Sequence, residues 1–374
     1  MSDQIQAVTM PKWGLSMTEG MVAKWNAEEG STIHKGDELV EIETTKITNV
    51  YESPVSGVLR RKVVCEGETV PIQALLAVVA NLDTLESDID DFIEQYQSSL
   101  ENRLAVQDKL DPSYERVEID GQGLRFLRAG DSGQIPLLFL HGFGGGINSW
   151  MFNQPPLSES ITTYSLDLPG HGESNKEIKA GDISAMMTSV VSFLSSLNVP
   201  RVHIVGHSMG GGIALKLSLD HPELAKSITI ISSIGLGREI NSKYIEDFIG
   251  ANRPKEMKSV LTELFANNKL VSRDMINDIL KYKRLDGTTD ALRRIAADVF
   301  PDGYQSLIMK DHLSQLRIPA QCIWGTEDQI VPISHTNDLP SNIVTHYVDG
   351  AGHMAHMERS GEVNRLIEEL IRGT

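Results

Sequence analysis

The first 80 residues repeat themselves at an offset of 37, and this repeat restricts the fold more than any other feature of the sequence. The matching segments are 20–22 with 57–59, 29–33 with 66–70, and 39–42 with 76–79. Such a repeat means that two copies of one small unit combine to bury a shared core. Each copy contains short runs of alternating apolar residues separated by glycines, a pattern typical of β-strands. We therefore predict an N-terminal all-β domain over 1–80, a flattened β-barrel or sandwich made of two pseudo-symmetric sheets.

The composition of the 374-residue chain excludes several classes of protein. Its formal net charge of −17 offers no basic surface to a phosphate backbone, so nucleic acid is not expected as a partner. The longest apolar runs have the length of strands, and the N-terminus lacks both the basic start and the apolar centre of a secretory signal. Two cysteines, Cys65 and Cys322, favour free thiols over a disulfide framework. We therefore expect a cytosolic protein with no membrane segment.

Residues 81–115 differ from the segments on either side by their charge, with ten Asp/Glu against two Lys/Arg. Between 83 and 106 apolar residues recur at helical spacing, namely Leu85, Ile89, Phe92, Ile93, Tyr96, Leu100 and Leu104. This pattern predicts an acidic, partly helical linker. Its apolar side either covers part of the C-terminal domain or provides a contact surface for a partner protein.

From residue 116 to residue 374, strand-like and helix-like segments alternate, which predicts a mainly parallel sheet with helices on both faces. The predicted strands are Arg125–Arg128, Pro136–Leu140, Thr162–Leu166, Arg201–Val205, Ser227–Ile231, Ala320–Trp324 and Thr345–Val348. The strand pattern stops over about 235–317, where helical periodicity predicts an inserted cap. This cap would lie over the carboxyl ends of the strands, where α/β sheets bind ligands.

A serine nucleophile is predicted where a strand meets a helix. The segment 206–210, Gly-His-Ser-Met-Gly, fits the pattern G-x-S-x-G in that context, with Ser208 at its centre. A serine needs a base and an acid that orients the base. Asp328 and His353, each just past a predicted strand, are the candidates in the expected order. Glu327 is the alternative acid, although Asp328 fits the spacing better. No metal is expected.

The loop 141–145, His-Gly-Phe-Gly-Gly, predicts an oxyanion hole because it also follows a strand. The backbone N–H groups of Phe143 and Met209 would bind the developing oxyanion. Three other histidines beside glycine turns are expected to support loops rather than to transfer protons: His141, His171 and His207.

Five segments carry a resemblance to a known superfamily: HGFGG, DLPGHGES, GHSMGG, WGTED and GAGH, in this order. Residues 115–374 resemble the α/β-hydrolase superfamily in these segments. The resemblance implies an α/β-hydrolase fold that performs acyl transfer or hydrolysis. It does not select a substrate, because the fold supports many chemistries.

The N-terminal domain resembles the lipoyl domains of 2-oxo acid dehydrogenase complexes. The similarity covers the opening segment 10–20 and the segment 43–48, with Gly57 eleven residues after Lys46. It implies that lipoic acid is attached to Lys46, with an ordinary surface lysine as the alternative. Thr45 stands where lipoyl domains usually have Asp, and the methionines that flank the lysine of biotinyl domains are absent.

The whole chain resembles the dihydrolipoamide acetyltransferase components of bacterial acetoin dehydrogenase systems, which fuse a lipoyl domain to an α/β-hydrolase domain. The resemblance implies that a thiamine-diphosphate-dependent acetoin dehydrogenase component acetylates the lipoyl group, that Ser208 takes the acetyl group, and that coenzyme A receives it. Dihydrolipoamide dehydrogenase is the second implied partner. Whether the chain forms a homo-oligomer is left open. Two alternatives remain: a lipoyl-linked serine esterase or thioesterase that uses water, and a carrier scaffold with an inactive hydrolase domain.

Overall fold

The computed structural model describes residues 5–11, 19–43, 48–110, 113–119 and 121–374. Of residues 48, 49, 101–110 and 113 it describes the backbone alone. The chain divides into two compact units, Met1–Leu110 and Asp111–Thr374. Each unit has its own apolar core.

The N-terminal unit contains two four-stranded sheets. Its strands are β1 Ile5–Thr9, β2 Glu19–Trp25, β3 Thr32–Ile33, β4 Glu38–Glu43, β5 Thr48–Glu52, β6 Gly57–Lys62, β7 Thr69–Pro71 and β8 Leu75–Ala80. The sheets have the strand orders β1-β8-β6-β3 and β5-β4-β2-β7. An offset of 37 carries β2, β3 and β4 onto β6, β7 and β8, so the sequence repeat becomes the pseudo-symmetry of the sheets. The predicted all-β fold is confirmed.

The repeated apolar positions form the core of this unit. Leu39, Ile42, Leu59 and Leu76 are fully buried in one cluster. Strands β4 and β5 pair antiparallel, with Glu43 opposite Thr48. The predicted attachment residue Lys46 falls between these two strands and lies outside the described residues.

The acidic segment after β8 forms a helix, α1 (Glu86–Leu110), that packs on the N-terminal unit. Its Ile89 is fully buried against Leu75 and Val78 of β8. Arg60 and Arg61 both donate to the carboxylate of Glu86, at 2.5 and 2.7 Å. The segment predicted as a partly helical linker thus contains a helix, and two of its apolar residues, Ile89 and Leu100, are buried within the N-terminal unit. Periodicity identifies the apolar side of a helix but not the surface that covers it.

The C-terminal unit is built on an eight-stranded sheet. Its strands are β9 Ser113–Ile119, β10 Gln122–Ala129, β11 Leu137–Leu140, β12 Thr163–Leu166, β13 Val202–His207, β14 Ala225–Ile231, β15 Ala320–Gly325 and β16 Ile343–Val348. Their order is β16-β15-β14-β13-β11-β12-β10-β9, parallel from β16 to β12. Strand β10 pairs antiparallel with both β12 and β9. The edge strand β9 was not predicted, and its first residues lie in the segment that the sequence assigned to the linker.

Helices cover both faces of this sheet. The helices of the C-terminal unit are α2 Gln154–Ser158, α3 Ile183–Ser196, α4 Met209–Asp220, α5 Ser242–Gly250, α6 Pro254–Thr262, α7 Arg273–Lys283, α8 Thr288–Val299, α9 Ala355–Glu358 and α10 Ser360–Arg372. Short 3₁₀ helices occupy Ile147–Trp150, Asn268–Leu270, Pro301–Gly303, Lys310–Gln315 and Ile333–Thr336. Successive residues of β11 point to opposite faces of the sheet. Leu138 shares a buried cluster with Phe193 of α3, and Phe139 shares another with Val363 of α10.

The helices α5 to α8 lie between β14 and β15 and form the predicted cap. Phe248 of α5, Leu261 of α6, Leu280 of α7 and Leu292 of α8 share one buried cluster with the sheet. Among the described residues, no helix is long and apolar enough to cross a membrane.

Candidate active site

Ser208 occupies the sharp turn between β13 and α4. Its backbone has φ 53° and ψ −115°, a left-handed conformation that non-glycine residues rarely adopt. The flanking glycines make this turn possible, since a Cβ on Gly206 would clash with the Gly210 carbonyl and one on Gly210 with that of Leu140. The Ser208 backbone is fixed by its N–H, which donates to Ile231 O at 2.9 Å. Strain held by this many contacts is typical of a functional residue.

Asp328 and His353 meet at the carboxyl ends of β15 and β16. The Nδ1 atom of His353 lies 2.9 and 3.1 Å from the two carboxylate oxygens of Asp328. Asp328 Oδ1 also accepts the N–H groups of Ile330 and Val331, at 2.8 and 3.0 Å. Because a carboxylate only accepts, Nδ1 is the donor of this pair, and in the neutral imidazole Nε2 is the nitrogen with the lone pair. Glu327, the alternative acid, has an exposed side chain.

His207 connects the serine turn to the His353 loop. Its Nε2 donates to the backbone carbonyl of His353 at 3.0 Å, and the two rings lie 4.7 Å apart. Desolvation by burial holds the pKa of His207 well below its usual range, and the neighbouring rings of His356 and His353 add to the effect. A neutral His207 therefore supports the loop, as the sequence predicted for it.

The loop after β11 lies directly against Ser208. A Cβ on Gly142 would come within 3.0 Å of Ser208 Cβ and 2.9 Å of His207 Nδ1, so only glycine allows this approach. Phe143 follows on this loop, and Met209 opens α4. Within the part of the chain that the structure describes, neither backbone N–H donates a hydrogen bond to another protein group. Both donors are therefore available for a developing negative charge.

His141 and His171 stabilise loops beneath this site. The Nδ1 of His141 donates to Gly142 O at 2.8 Å, and its Nε2 accepts the N–H of Leu168 at 3.0 Å. The Nδ1 of His171 donates to Pro169 O at 3.1 Å. Desolvation lowers the pKa of both histidines, so both are neutral near pH 7.

The cap contacts the site through two residues that sequence reasoning missed. A Cβ on Gly144 would clash with the ring of Phe248 from α5, and that ring lies 6.0 Å from the Phe143 ring. Glu358 joins the cap to the histidine loop, because its Oε1 accepts Gly352 N–H at 2.6 Å and its Oε2 accepts Asn267 N–H at 3.1 Å. No local pattern of the sequence marks Glu358 for this role, because one of its two partners lies 91 residues earlier in the chain.

Comparisons with known proteins agree with both units. A family model described as alpha/beta hydrolase fold matches residues 135–360, and one described as biotin-requiring enzyme matches 6–79. Among solved structures, a membrane phospholipase A has a TM-score of 0.62 at 24% identity, covering 74% of this chain and 91% of its own. A meta-cleavage product hydrolase from Pseudomonas fluorescens has a TM-score of 0.63 at 19% identity, covering 69% and 97%. These two similarities concern the fold alone.

Two curated relatives match along their whole length. Both are named as the dihydrolipoyllysine-residue acetyltransferase component of an acetoin cleaving system. The protein from Pseudomonas putida is 40% identical over 99% of this chain and 99% of its own. The protein from Cupriavidus necator is 38% identical over 100% and 99%. The chain thus belongs to the α/β-hydrolase family and, within it, to the dihydrolipoyllysine-residue acetyltransferase components of acetoin cleaving systems.

Proposed function

We propose that the protein moves an acetyl group from an S-acetyl dihydrolipoyl arm on Lys46 to coenzyme A, through an acetyl ester on Ser208. The observation that carries this proposal is the His353–Asp328 pair beside a strained serine turn, with hydrogen bonds of 2.9 and 3.1 Å. This arrangement supplies a base, its orienting acid and a nucleophile, which acyl transfer requires. The full-length relatives carry the corresponding name.

In the first half of the reaction Ser208 acts as the nucleophile. His353 Nε2 takes the proton of the Ser208 hydroxyl while Oγ attacks the thioester carbonyl carbon. The Phe143 and Met209 N–H groups hold the resulting oxyanion, each contributing about 3 kcal/mol. The carbon–sulfur bond then breaks, and the leaving thiolate takes the proton from His353. The products are acetyl-Ser208 and a dihydrolipoyl thiol.

The second half repeats these roles in reverse. His353 removes the proton of the coenzyme A thiol, and the sulfur attacks the carbonyl carbon of the Ser208 ester. The same two N–H groups hold the second oxyanion. The bond to Oγ breaks, His353 returns its proton to Ser208, and acetyl-coenzyme A leaves. Asp328 stabilises the imidazolium in both halves without being protonated.

The N-terminal unit supplies the attachment position for the donor. Lys46 lies in the sequence between β4 and β5, whose ends are joined by the pairing of Glu43 with Thr48. Lys46 would hold the lipoyl group, whose disulfide would be reduced by two electrons as one sulfur is acetylated, leaving the other sulfur as a thiol. We propose that a thiamine-diphosphate-dependent component delivers that group, that dihydrolipoamide dehydrogenase restores the disulfide, and that the reaction takes place in the cytosol.

The test measures acetyl-coenzyme A and free acetate by mass spectrometry after adding acetyl-dihydrolipoamide, with and without coenzyme A. We expect Ser208→Ala to lose transfer by at least about a thousandfold, whereas Ser184→Ala, at an exposed serine of α3, keeps it. Full transfer by Ser208→Ala would refute the acyl-enzyme. Acetate as the main product in the presence of coenzyme A would instead identify a thioesterase.

A second variant tests the attachment residue. Lys46→Arg keeps the positive charge but cannot form the amide bond to lipoic acid. We expect it to gain no lipoyl mass on expression with lipoate, while still transferring acetyl from free acetyl-dihydrolipoamide. A lipoyl mass on Lys46→Arg would place the modification on another residue.

A further inference from the structure

One segment of the cap carries a positive charge that contrasts with the rest of the chain. Residues 253–273 contain five Lys/Arg and two Asp/Glu, in a protein of net charge −17. They comprise α6, the short helix Asn268–Leu270 and the first residue of α7. All five cations are exposed: Arg253, Lys255, Lys258, Lys269 and Arg273. We refer to these five residues as the cationic cap segment.

The positive charge of this segment is not neutralised locally. Among the described residues, Lys255, Lys258, Lys269 and Arg273 have no carboxylate oxygen within 4.0 Å, and Arg253 lies 3.9 Å from Glu256. Apart from this contact, the hydrogen bonds of the two acidic side chains go to other groups. Glu256 Oε2 accepts the N–H groups of residues 252 and 253, and Glu263 Oε2 accepts Asn241 Nδ2 at 3.1 Å. The four lysine and arginine side chains are therefore free to bind an anion.

The same segment lies against the loop that carries His353. The carbonyl of Leu264 accepts Met354 N–H at 3.2 Å, and Asn267 N–H donates to Glu358 at 3.1 Å. A Cβ on Gly352 would come within 2.8 Å of Leu264 O. Lys269 follows Asn267 by two residues, and Lys258 precedes Leu264 by six. Two of the cations thus lie within six residues of the cap backbone that contacts the neighbours of His353, Gly352 and Met354.

From this placement, and resting on the proposed function, we infer that the cationic cap segment binds the phosphate groups of coenzyme A. The acceptor must bring its thiol to Ser208, which is 6% exposed, while its phosphates stay in water. Lysine ammonium groups suit this task because they bind phosphate as mobile point charges. The buried cation of the cap, Lys283, is unsuited because it donates to the carbonyls of Phe248, Ile249 and Ala251.

The experiment compares coenzyme A with pantetheine, its phosphate-free thiol arm, on the full-length lipoylated protein. The variant is the triple substitution Lys255→Gln, Lys258→Gln and Lys269→Gln, which keeps side-chain length. The control is Lys226→Gln, since Lys226 lies at the amino end of β14, at the opposite edge of the sheet from Ser208. Calorimetry measures the binding of each acceptor, and initial rates give KM and kcat.

We expect the triple variant to raise the Kd and KM for coenzyme A by about tenfold, with kcat and the KM for pantetheine within twofold. Raising the ionic strength should weaken coenzyme A binding to the wild type more than to the variant, because salt screens exposed charges. The control should match the wild type.

Equal binding of coenzyme A by the wild type and the triple variant would overturn the inference, as would an equal loss with pantetheine. Neither result would contradict the proposed transfer of acetyl to coenzyme A. Conversely, a wild type that binds coenzyme A through these lysines but forms acetate would refute the proposed transfer and leave this inference standing.

Discussion

Replacing Asp328 with asparagine tests its proposed role as the orienting acid, because the substitution changes only one carboxylate oxygen into an NH₂ group. The asparagine oxygen can still accept the Ile330 and Val331 N–H groups, now 2.8 and 3.0 Å from Oδ1. Its NH₂ group then faces His353 Nδ1, where the carboxylate oxygen lies at 2.9 Å. Two donors cannot face each other, so the proton of His353 moves from Nδ1 to Nε2. The nitrogen proposed to deprotonate Ser208 then has no lone pair.

The Asp328→Asn variant loses the correct tautomer of His353 but keeps the backbone hydrogen bonds of the turn, and these two facts set its expected kcat and stability. Loss of the correct tautomer in a serine triad lowers kcat by about 10⁴, or roughly 5 kcal/mol of transition-state stabilisation. The turn that holds Asp328 keeps its two backbone hydrogen bonds, so the melting temperature should fall by no more than a few degrees. The Asp328→Asn variant is thus predicted to lose activity while it keeps most of its stability.

The assay is the rate of acetyl-coenzyme A formation from acetyl-dihydrolipoamide, with the melting temperature measured on the same samples. Glu327→Gln is the matched control, because this neighbouring carboxylate is exposed and was the alternative acid. It should keep full activity. If Asp328→Asn retains more than a tenth of the wild-type rate, or if Glu327→Gln loses as much, the assignment of Asp328 is wrong.

Three further outcomes follow from burial and backbone geometry. Burial lowers the pKa of His356 to about 3, against about 6.5 in the unfolded chain. Between these values only the unfolded state binds the proton, so lowering the pH reduces the free energy of unfolding by up to about 1.4 kcal/mol per pH unit. In urea titrations, His356→Gln should therefore lose less stability than the wild type between pH 7 and pH 5. Parallel losses would contradict this. Ile89→Ala should destabilise the N-terminal unit by about 2–5 kcal/mol in calorimetry, whereas Leu85→Ala, at a side chain 64% exposed, should not. Gly144→Ala should lower kcat by at least about tenfold, because its Cβ would displace Phe248 and φ is +72°; normal turnover would show that this loop tolerates a shift.

The sequence predicted those features that depend on local pattern. The repeat at an offset of 37 located the strands of the first unit, since each β-strand needs only its alternation and its turns. The G-x-S-x-G segment located Ser208, because its glycines are required wherever a strand turns sharply into a helix. Asp328 and His353 could be paired because both follow parallel strands, whose carboxyl ends share one edge of the sheet.

Other features depend on contacts between distant segments, which a single sequence does not contain. The apolar side of α1 was visible, but its packing on Leu75 and Val78 was not. Strand β9 was missed because Glu115 and Arg116 give its start the composition of a linker. The role of Glu358 was equally invisible, because it depends on Asn267, 91 residues earlier in the chain.

The two hydrogen bonds of Glu358 have a consequence for the position of the proposed base. One carboxylate accepts both the Gly352 amide, next to His353, and the Asn267 amide of the cap. The cap and the loop that carries the base therefore share one anchor. A substitution that removes this carboxylate is expected to disturb the histidine and the entrance of the site together, although Glu358 belongs to neither of them.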